Sequence, residues 1–295
     1  MPIDAAQALA AGPRTSRVSW TAKDVQLYHL GIGAGADPDD LRYTLEDRLH
    51  VLPAFATVAG GGAPGVIRAL SVPGVDVDLA RALHAGQSLT VHRPVPVRAT
   101  ATATSRVTAV YDKDTAAVLV LRTEVADADG PLWTEEARTY VRGEGGWGGE
   151  RGPSVRSAVP AGPAERTVRR AVRADQALLY RLSGDLNPLH ADPEFAARAG
   201  FERPVLHGLC TYGMTLKAVV DTLLDGDTGR VRSYEARFAG VVYPGETLRI
   251  RLWREGGTGA DRAVRVAVGV VERGDALVLD GRVLLHGDGS VLPHG

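Results

Sequence analysis

The residues best suited to chemistry lie in one short segment of the 295-residue chain. Asp185, Asn187 and His190 fall within SGDLNPLH, a run rich in turn-forming residues. A loop can direct polar side chains toward a ligand instead of burying them. A carboxylate, an amide and an imidazole in one loop could move protons, with the carboxylate and the imidazole serving as general acid and base.

Two helices are predicted after this loop. Asp192 is placed as the N-cap of a short helix, which Gly200 can close. Apolar residues at helical spacing from Leu209 to Leu223 predict a second helix that begins close to Gly208. The free N–H groups at such an N-terminus, together with the positive end of the helix dipole, could hold an oxyanion.

The loop and the second predicted helix together resemble a family signature. SGDLNPLHADPEFA, followed by RPVLHGLCTYG, is similar to the signature of hydratase 2, the (R)-specific enoyl-CoA hydratase family within the MaoC-like group. GGWGGERG and ARFAGVVYPGETL resemble further segments of that family, so the resemblance extends over nearly the whole chain. It implies that Asp185 and His190 are the catalytic pair and that Asn187 supports them. The backbone N–H of Gly208 is then expected to help hold the thioester oxygen.

The further candidate substrate-binding residues are His207, Leu209 and Tyr243. His207 could instead cap the helix that follows it, and Gly208 could serve close packing of that helix against a sheet. Tyr243 lies in the turn-forming sequence Tyr-Pro-Gly between two predicted strands, so its candidate role is to line a pocket.

The resemblance also implies a fold and a reaction. The fold is α+β, a double hot dog in which each of two tandem domains wraps an antiparallel sheet around a helix. The reaction is the reversible hydration of a trans-2-enoyl-CoA to a (3R)-3-hydroxyacyl-CoA, with an acyl-CoA thioester as substrate and neither metal nor cofactor. Competing hypotheses are a (3R)-hydroxyacyl-thioester dehydratase in chain elongation, a thioesterase, and a domain that binds acyl-CoA without turnover.

An internal repeat predicts two domains. Residues 14–30 and 166–182 are copies at a shift of 152, and VLPAFAT at 51–57 runs more weakly parallel to VLHGLCT at 205–211. A shift this large indicates duplicated domains and not a solenoid. The expected organisation is an N-terminal hot-dog domain at 1–145, a Gly- and Pro-rich linker at 146–165, in which Trp147 could pack across one face, and a C-terminal domain at 166–295.

The first copy lacks the chemical residues of the second. Gly33 stands where the second copy has Asp185, and Pro53 and Ala54 stand where it has His207 and Gly208. The first half is therefore expected to shape a pocket for an acyl chain. Strand-like runs bounded by Gly, Pro or Asp follow in both halves: SLTVHRPVPV, ATATATSRVTAVYD, TAAVLVLRTEVAD and LWTEEARTYVRG, then VRSYEARFAG, ETLRIRLWREG, AVRVAVGVVERG and ALVLDGRVLLHG.

Composition narrows the class of partner and the compartment. The formal net charge is −1 and the basic residues are scattered, so nucleic acid is not an expected partner. The single cysteine, Cys210, rules out an intramolecular disulfide and fits a reducing compartment. No run approaches the roughly 20 apolar residues that a membrane span needs. We expect a cytoplasmic protein, with a homodimer as a further expectation.

Chemistries unrelated to hydration receive less support. Gly31, Gly33 and Ala36 fit a dinucleotide fingerprint, but a helix-like run precedes them where that fingerprint requires a strand. A metal site could be built from Asp185, His190 and Asp192, although Asp192 is better explained as an N-cap. Cys210 would need an adjacent base to act as a nucleophile, and Ser183 lacks the nucleophile-elbow glycines.

Overall fold

The computed structural model describes residues 3–35, 37–60, 65–153, 159–256 and 262–287. The helices are α1 (Ala5–Ala10), α2 (Ala22–Gly31), α3 (Leu41–Thr44), α4 (Gly65–Leu70), α5 (Gln176–Tyr180), α6 (Pro193–Arg198) and α7 (Gly208–Leu223). The strands are β1 (Arg14–Trp20), β2 (Ala82–Val91), β3 (Ala99–Asp112), β4 (Ala116–Asp127), β5 (Gly130–Arg142), β6 (Arg166–Ala171), β7 (Val231–Phe238), β8 (Thr247–Glu255), β9 (Ala263–Val270) and β10 (Ala276–Leu285).

The strands form one continuous ten-stranded sheet. Its order is β1-β3-β4-β5-β2-β7-β10-β9-β8-β6, so β1–β5 and β6–β10 make two five-stranded halves of matching order. The halves join through an antiparallel pairing of β2 with β7, which runs from Gly86 with Arg237 to Thr90 with Ser233. Duplicated strand patterns in the sequence are thus two copies of one half-sheet, and the expected double hot-dog arrangement is confirmed.

The predicted run SLTVHRPVPV is wrong at both of its ends. β2 begins at Ala82, six residues before the run, and ends at Val91. The remaining residues include Pro94 and Pro96, and because proline has no backbone N–H to donate, it does not continue a sheet ladder. The other seven runs match strands to within a few residues of their ends.

Helix α7 fills the centre of the second half. It begins at Gly208, as the apolar spacing predicts, and 13 of its 16 residues are buried. It packs against β7, β8, β9 and β10. A helix that is apolar on nearly every side is stable only when it is enclosed by other elements, which is the position that the curved sheet provides.

The first half has a short turn where the second half begins its central helix. Pro53–Thr57 forms a five-residue 3₁₀ helix with proline at its start, and it packs against α7. Tyr28 and Phe55 of the first half share a hydrophobic core with Tyr212 and Tyr234 of the second. The two halves therefore do not bury separate cores. A second, smaller cluster of buried residues lies in the first half, and Trp147 of the predicted linker packs against it.

A buried ion cluster also connects the halves. The Lys217 ammonium on α7 contacts the carboxylate of Asp40, and its Nζ lies 2.7 Å from Asp221 Oδ2. The Tyr43 hydroxyl donates to the other oxygen of Asp221 at 2.7 Å. Lys217 and Asp40 have side chains only 7% and 8% exposed, so neither charge can be satisfied by water if its partner is removed. Within the described residues, no helix is long and apolar enough to cross a membrane.

Replacing Lys217 with methionine should destabilise the protein strongly. The change leaves the buried carboxylate of Asp40 and the partly buried carboxylate of Asp221 without their cation. Breaking a buried pair in this way costs about 3–5 kcal/mol of unfolding free energy. Urea denaturation followed by circular dichroism measures it. Lys23→Met, on the exposed side of α2, is the matched control and should change stability by less than about 0.5 kcal/mol. Equal effects of the two variants would contradict the expectation.

Candidate active site

A cavity of about 740 Å³ opens where the two halves separate. β2 and β7 are paired only as far as Gly86 and Arg237, and the cavity wall includes the residues just beyond that pairing on both strands. The wall is formed by both halves and includes Leu83, His84, Asp185, His190, Leu209 and Phe238. The first half thus contributes residues directly to the cavity wall.

The chemical loop is held by short backbone contacts. Gly184 has φ 125°, a conformation that other residues rarely adopt, and it turns the chain out of the helical segment before Asp185. The Asp185 carboxylate accepts a hydrogen bond from Asn187 N at 3.2 Å. The side-chain oxygen of Asn187 in turn accepts from Leu189 N at 3.0 Å and caps the turn that carries His190. Asn187 therefore shapes the loop and also lines the cavity.

His190 is fixed in one tautomer by its surroundings. Its Nδ1 lies 2.8 Å from the carbonyl oxygen of Val205, which can only accept, so Nδ1 carries the proton. In the neutral ring Nε2 is then an unprotonated acceptor. Burial lowers the pKa of His190 below its ordinary value, and the nearby Asp185 carboxylate opposes that shift. The neutral ring is the form that can take up a proton at neutral pH.

His207 lies behind His190 and not on the cavity wall. The two imidazole rings are stacked, with centroids 3.6 Å apart and planes at 27°. His207 Nε2 donates to the backbone carbonyl oxygen of Asp185 at 3.1 Å. His207 occupies the N-cap position of α7, but its side chain makes no capping hydrogen bond. The substrate-binding role predicted for His207 thus has no support from its position.

Gly208 and Leu209 bring the N-terminus of α7 to the cavity. Both residues line it, and the N–H groups of a first helical turn have no acceptor within their own helix. A Cβ on Gly208 would lie 3.3 Å from the Phe238 ring, so the glycine also permits close packing of α7 against the end of β7. The oxyanion and packing roles of Gly208 are therefore compatible. Leu209 is 3% exposed and supplies apolar surface.

Tyr243 is not among the described residues that line the cavity. Its ring lies under two guanidinium groups, those of Arg203 at 4.8 Å and Arg273 at 5.7 Å from its centroid. It packs in a small apolar cluster with Leu189 and Val205, both of which do line the cavity. Its position supports an indirect contribution to the pocket and not contact with a bound acyl group.

The sequence did not predict that His84 lies at the cavity. It reaches the cavity from β2 of the first half, where its ring meets Phe238 edge-on at 5.0 Å. Its Nε2 lies 3.1 Å from Gln87 Oε1, and Gln87 Nε2 donates to the buried Glu135 carboxylate at 3.0 Å. Burial lowers the pKa of His84 to about 4. A lone histidine in a strand carries no motif, so nothing in the sequence marks it.

Among the described residues, Asp192 does not join Asp185 and His190 in a possible metal site. Asp192 is the N-cap of α6, and its carboxylate accepts from Glu194 N at 2.8 Å. Instead, ligand atoms of Asp185, His190 and His207 lie within 4.8 Å of one another. Ring nitrogens of two stacked imidazoles direct their lone pairs in nearly parallel planes, a geometry unfavourable for binding one ion between them.

Thiol, nucleotide and serine chemistry are disfavoured by the positions of the residues concerned. Cys210 is buried with its thiol 3.5 Å from the carbonyl oxygen of Gly31, and burial raises its pKa, so a nucleophilic thiolate is disfavoured. Gly31 ends helix α2, and a helix therefore precedes the dinucleotide-like glycines where a strand is required. Ala36 lies outside the described residues. Ser183 is buried.

Two family models match consecutive parts of the chain. The "MFE-2 hydratase 2 N-terminal domain" matches residues 18–143, and the "MaoC like domain" matches residues 156–275. A Mycobacterium tuberculosis protein named enoyl-CoA hydratase ChsH3 is 47% identical over 95% of this chain and 98% of its own length. The chain belongs to the hydratase 2 family of MaoC-like proteins. A Dictyostelium discoideum relative named probable enoyl-CoA hydratase 2 is 34% identical, covering 86% of this chain and 88% of its own.

Solved structures agree with this assignment. A MaoC-like dehydratase from Phytophthora capsici superimposes with a TM-score of 0.85 at 27% identity, covering 98% of this chain and 99% of its own. A Mycobacterium tuberculosis protein described as having a double hot-dog fold gives a TM-score of 0.59 at 14% identity, over 94% and 96% of the two chains, which supports the fold alone. The double hot-dog fold and the family expected from the sequence are both confirmed.

Replacing Asp192 with alanine should lower the unfolding free energy by about 1 kcal/mol, because α6 loses its N-cap. Asp192→Asn, which keeps an acceptor oxygen, should recover most of the loss. Denaturant unfolding of the three proteins measures both effects. A loss above about 3 kcal/mol would show that Asp192 holds more of the loop than a helix cap does.

Proposed function

We propose that this protein is an (R)-specific enoyl-CoA hydratase, which adds water to a trans-2-enoyl-CoA and gives a (3R)-3-hydroxyacyl-CoA. One observation carries the proposal: a ring nitrogen of His190 and a carboxylate oxygen of Asp185 lie within 4.8 Å of one another, and both residues line the cavity. The N-terminus of α7 lies at the same wall. Its relatives named enoyl-CoA hydratases support the substrate class.

The steps follow from the chemistry of these groups. A water molecule between Asp185 and His190 donates one hydrogen bond to the carboxylate, which orients it. His190 Nε2 takes its other proton as oxygen adds to C3, and the thioester becomes an enolate. The N–H of Gly208 stabilises the enolate oxygen. The proton on His190 then returns to C2, so that the atoms of one water are added and the enzyme is restored.

The first half supplies the acyl pocket in this proposal. Its contribution to the cavity wall includes the apolar side chains of Val66, Ile67 and Val118 and the rings of Tyr111 and Tyr140. An acyl chain that extends away from the Asp185 carboxylate and the His190 ring would be shielded from water by these residues. Hydrophobic contact in this region would bind substrate and transition state equally, and would thus act mainly on KM.

The same site accounts for the reverse reaction. Dehydration of a (3R)-hydroxyacyl thioester uses each proton transfer in the opposite sense, and the direction in the cell depends on the supply of substrate. Hydrolysis of the thioester would require water to attack C1 instead of C3, and it would release free CoA. A homodimer and a cytoplasmic location remain predictions from the sequence, and size-exclusion chromatography with light scattering would test the dimer.

Asp185→Asn and His190→Gln should each lower the hydration rate by about 10² to 10⁴-fold, because the first removes the carboxylate that orients the water and the second removes the group that transfers the proton. Loss of the enoyl thioester absorbance with crotonyl-CoA measures the rate, and chiral chromatography of the product identifies the enantiomer. Asp192→Asn is the matched control, a nearby carboxylate that holds only a helix end, and it should retain wild-type activity. Wild-type rates in both site variants, or free CoA as the product, would refute the proposed function.

The activity should also persist at mildly acidic pH. His190 must be unprotonated to accept a proton from water, and burial holds its pKa below the ordinary value of about 6.5. The acid limb of kcat/KM should therefore have its midpoint below about pH 6.5, since activity is lost only as pH falls through the lowered pKa. Initial rates across a constant-ionic-strength buffer series measure the midpoint. A midpoint above the ordinary histidine value would contradict the assignment of His190 as base.

A further inference from the structure

We propose that His207 is a positioning residue that sets the distance between the two catalytic side chains. The proposal rests on the function proposed above and extends it to a residue that does not contact the cavity. His207 touches both members of the pair: its ring stacks on His190, and its Nε2–H donates to the backbone of Asp185. It is 1% exposed, so its own position is fixed by packing.

The contacts of His207 are compatible with only one tautomer of its neutral ring. Because Nε2 donates to a carbonyl oxygen, Nδ1 is the unprotonated nitrogen, and it is buried without a hydrogen-bond partner. Protonation would place an unpaired N–H in that position, which is costly in a buried site. The Tyr180 ring also packs near it, with ring centroids 4.9 Å apart. A neutral ring with a fixed donor is well suited to orient its neighbours.

The same residue links the loop to the start of α7. The backbone carbonyl of His207 accepts from Cys210 N at 3.0 Å and from Thr211 N at 3.3 Å, and these bonds begin the helix at Gly208. The side chain of His207 reaches back 22 residues along the chain to Asp185. One residue therefore relates the carboxylate, the imidazole and the proposed oxyanion donor, and these three groups come from two separate segments.

A matched pair of substitutions separates the hydrogen bond from simple packing. His207→Leu fills much of the space but cannot donate to Asp185. His207→Gln carries an amide Nε2–H at the same position along the side chain and can restore the bond. His92→Leu is the control, since His92 is exposed and its hydrogen bond to Thr134 lies away from the cavity wall. Thermal unfolding of each variant reports whether it is folded.

His207→Leu should lower kcat for crotonyl-CoA by about 10²-fold, the cost that a displacement of about 1 Å imposes on positioned groups. KM should change by less than about twofold, because His207 does not line the pocket. His207→Gln should recover at least about tenfold of the loss, and His92→Leu should match the wild type.

The pH profile distinguishes positioning from loss of folded protein. Asp185 raises the pKa of His190 and Arg181 lowers it, and His190 in turn lowers the pKa values of His84 and His207. If the loop relaxes in His207→Leu, the influence of Asp185 weakens and the acid limb of kcat/KM moves to lower pH. His207→Gln should move it back. A variant that is only partly folded would lose rate without moving the limb.

Each possible result either supports or overturns the proposed role of His207. A slower His207→Leu with a shifted limb and rescue by His207→Gln would support the proposal. An active wild type with an unaffected His207→Leu, a loss with no shift of the limb, or no rescue by glutamine would overturn it and leave the hydratase assignment standing. An inactive wild type would instead overturn the proposed function.

Discussion

The place where β2 and β7 stop pairing determines the rest of the structure. Five residues of each strand join the two half-sheets, from Gly86 to Thr90 and from Ser233 to Arg237. Beyond that point the strands separate, and the opening becomes the cavity. If the pairing continued in the same register, Ala85 would pair with Phe238, and the cavity could not open between the two strands at this point.

Burial then sets the chemical state of the groups around the opening. Desolvation lowers the pKa of His84, His190 and His207 alike, so that three neighbouring imidazoles are held neutral. Only one of them has a free acceptor nitrogen that faces the proposed water. His84 is tied to Gln87, and His207 is tied to the Asp185 backbone. Hydrogen bonds to different acceptors thus give these three imidazoles different roles.

Much of the fold and of the candidate site could be predicted from the sequence, and the residues that could not be predicted have identifiable physical reasons. The loop, the start of α7 at Gly208 and the duplicated strands are encoded locally, in turn residues and in apolar periodicity, and the structure confirms them. The role proposed for His207 could not be predicted, because it depends on a stacking contact with His190 across 17 residues of chain. His84 comes from the other half, about 100 residues earlier in the sequence, and its place depends on where β2 bulges and leaves β7.

The shared core changes what the duplication means for the chain. Pro53–Thr57 packs against α7, and Lys217 of α7 is neutralised by Asp40 of the first half. The first half could therefore lose both its own long helix and its own chemical loop, because the second half supplies its packing partner. Two copies that began as equals have become complementary parts. Excision of either half would expose part of the shared core, and sequence change in one half is constrained by the surface of the other.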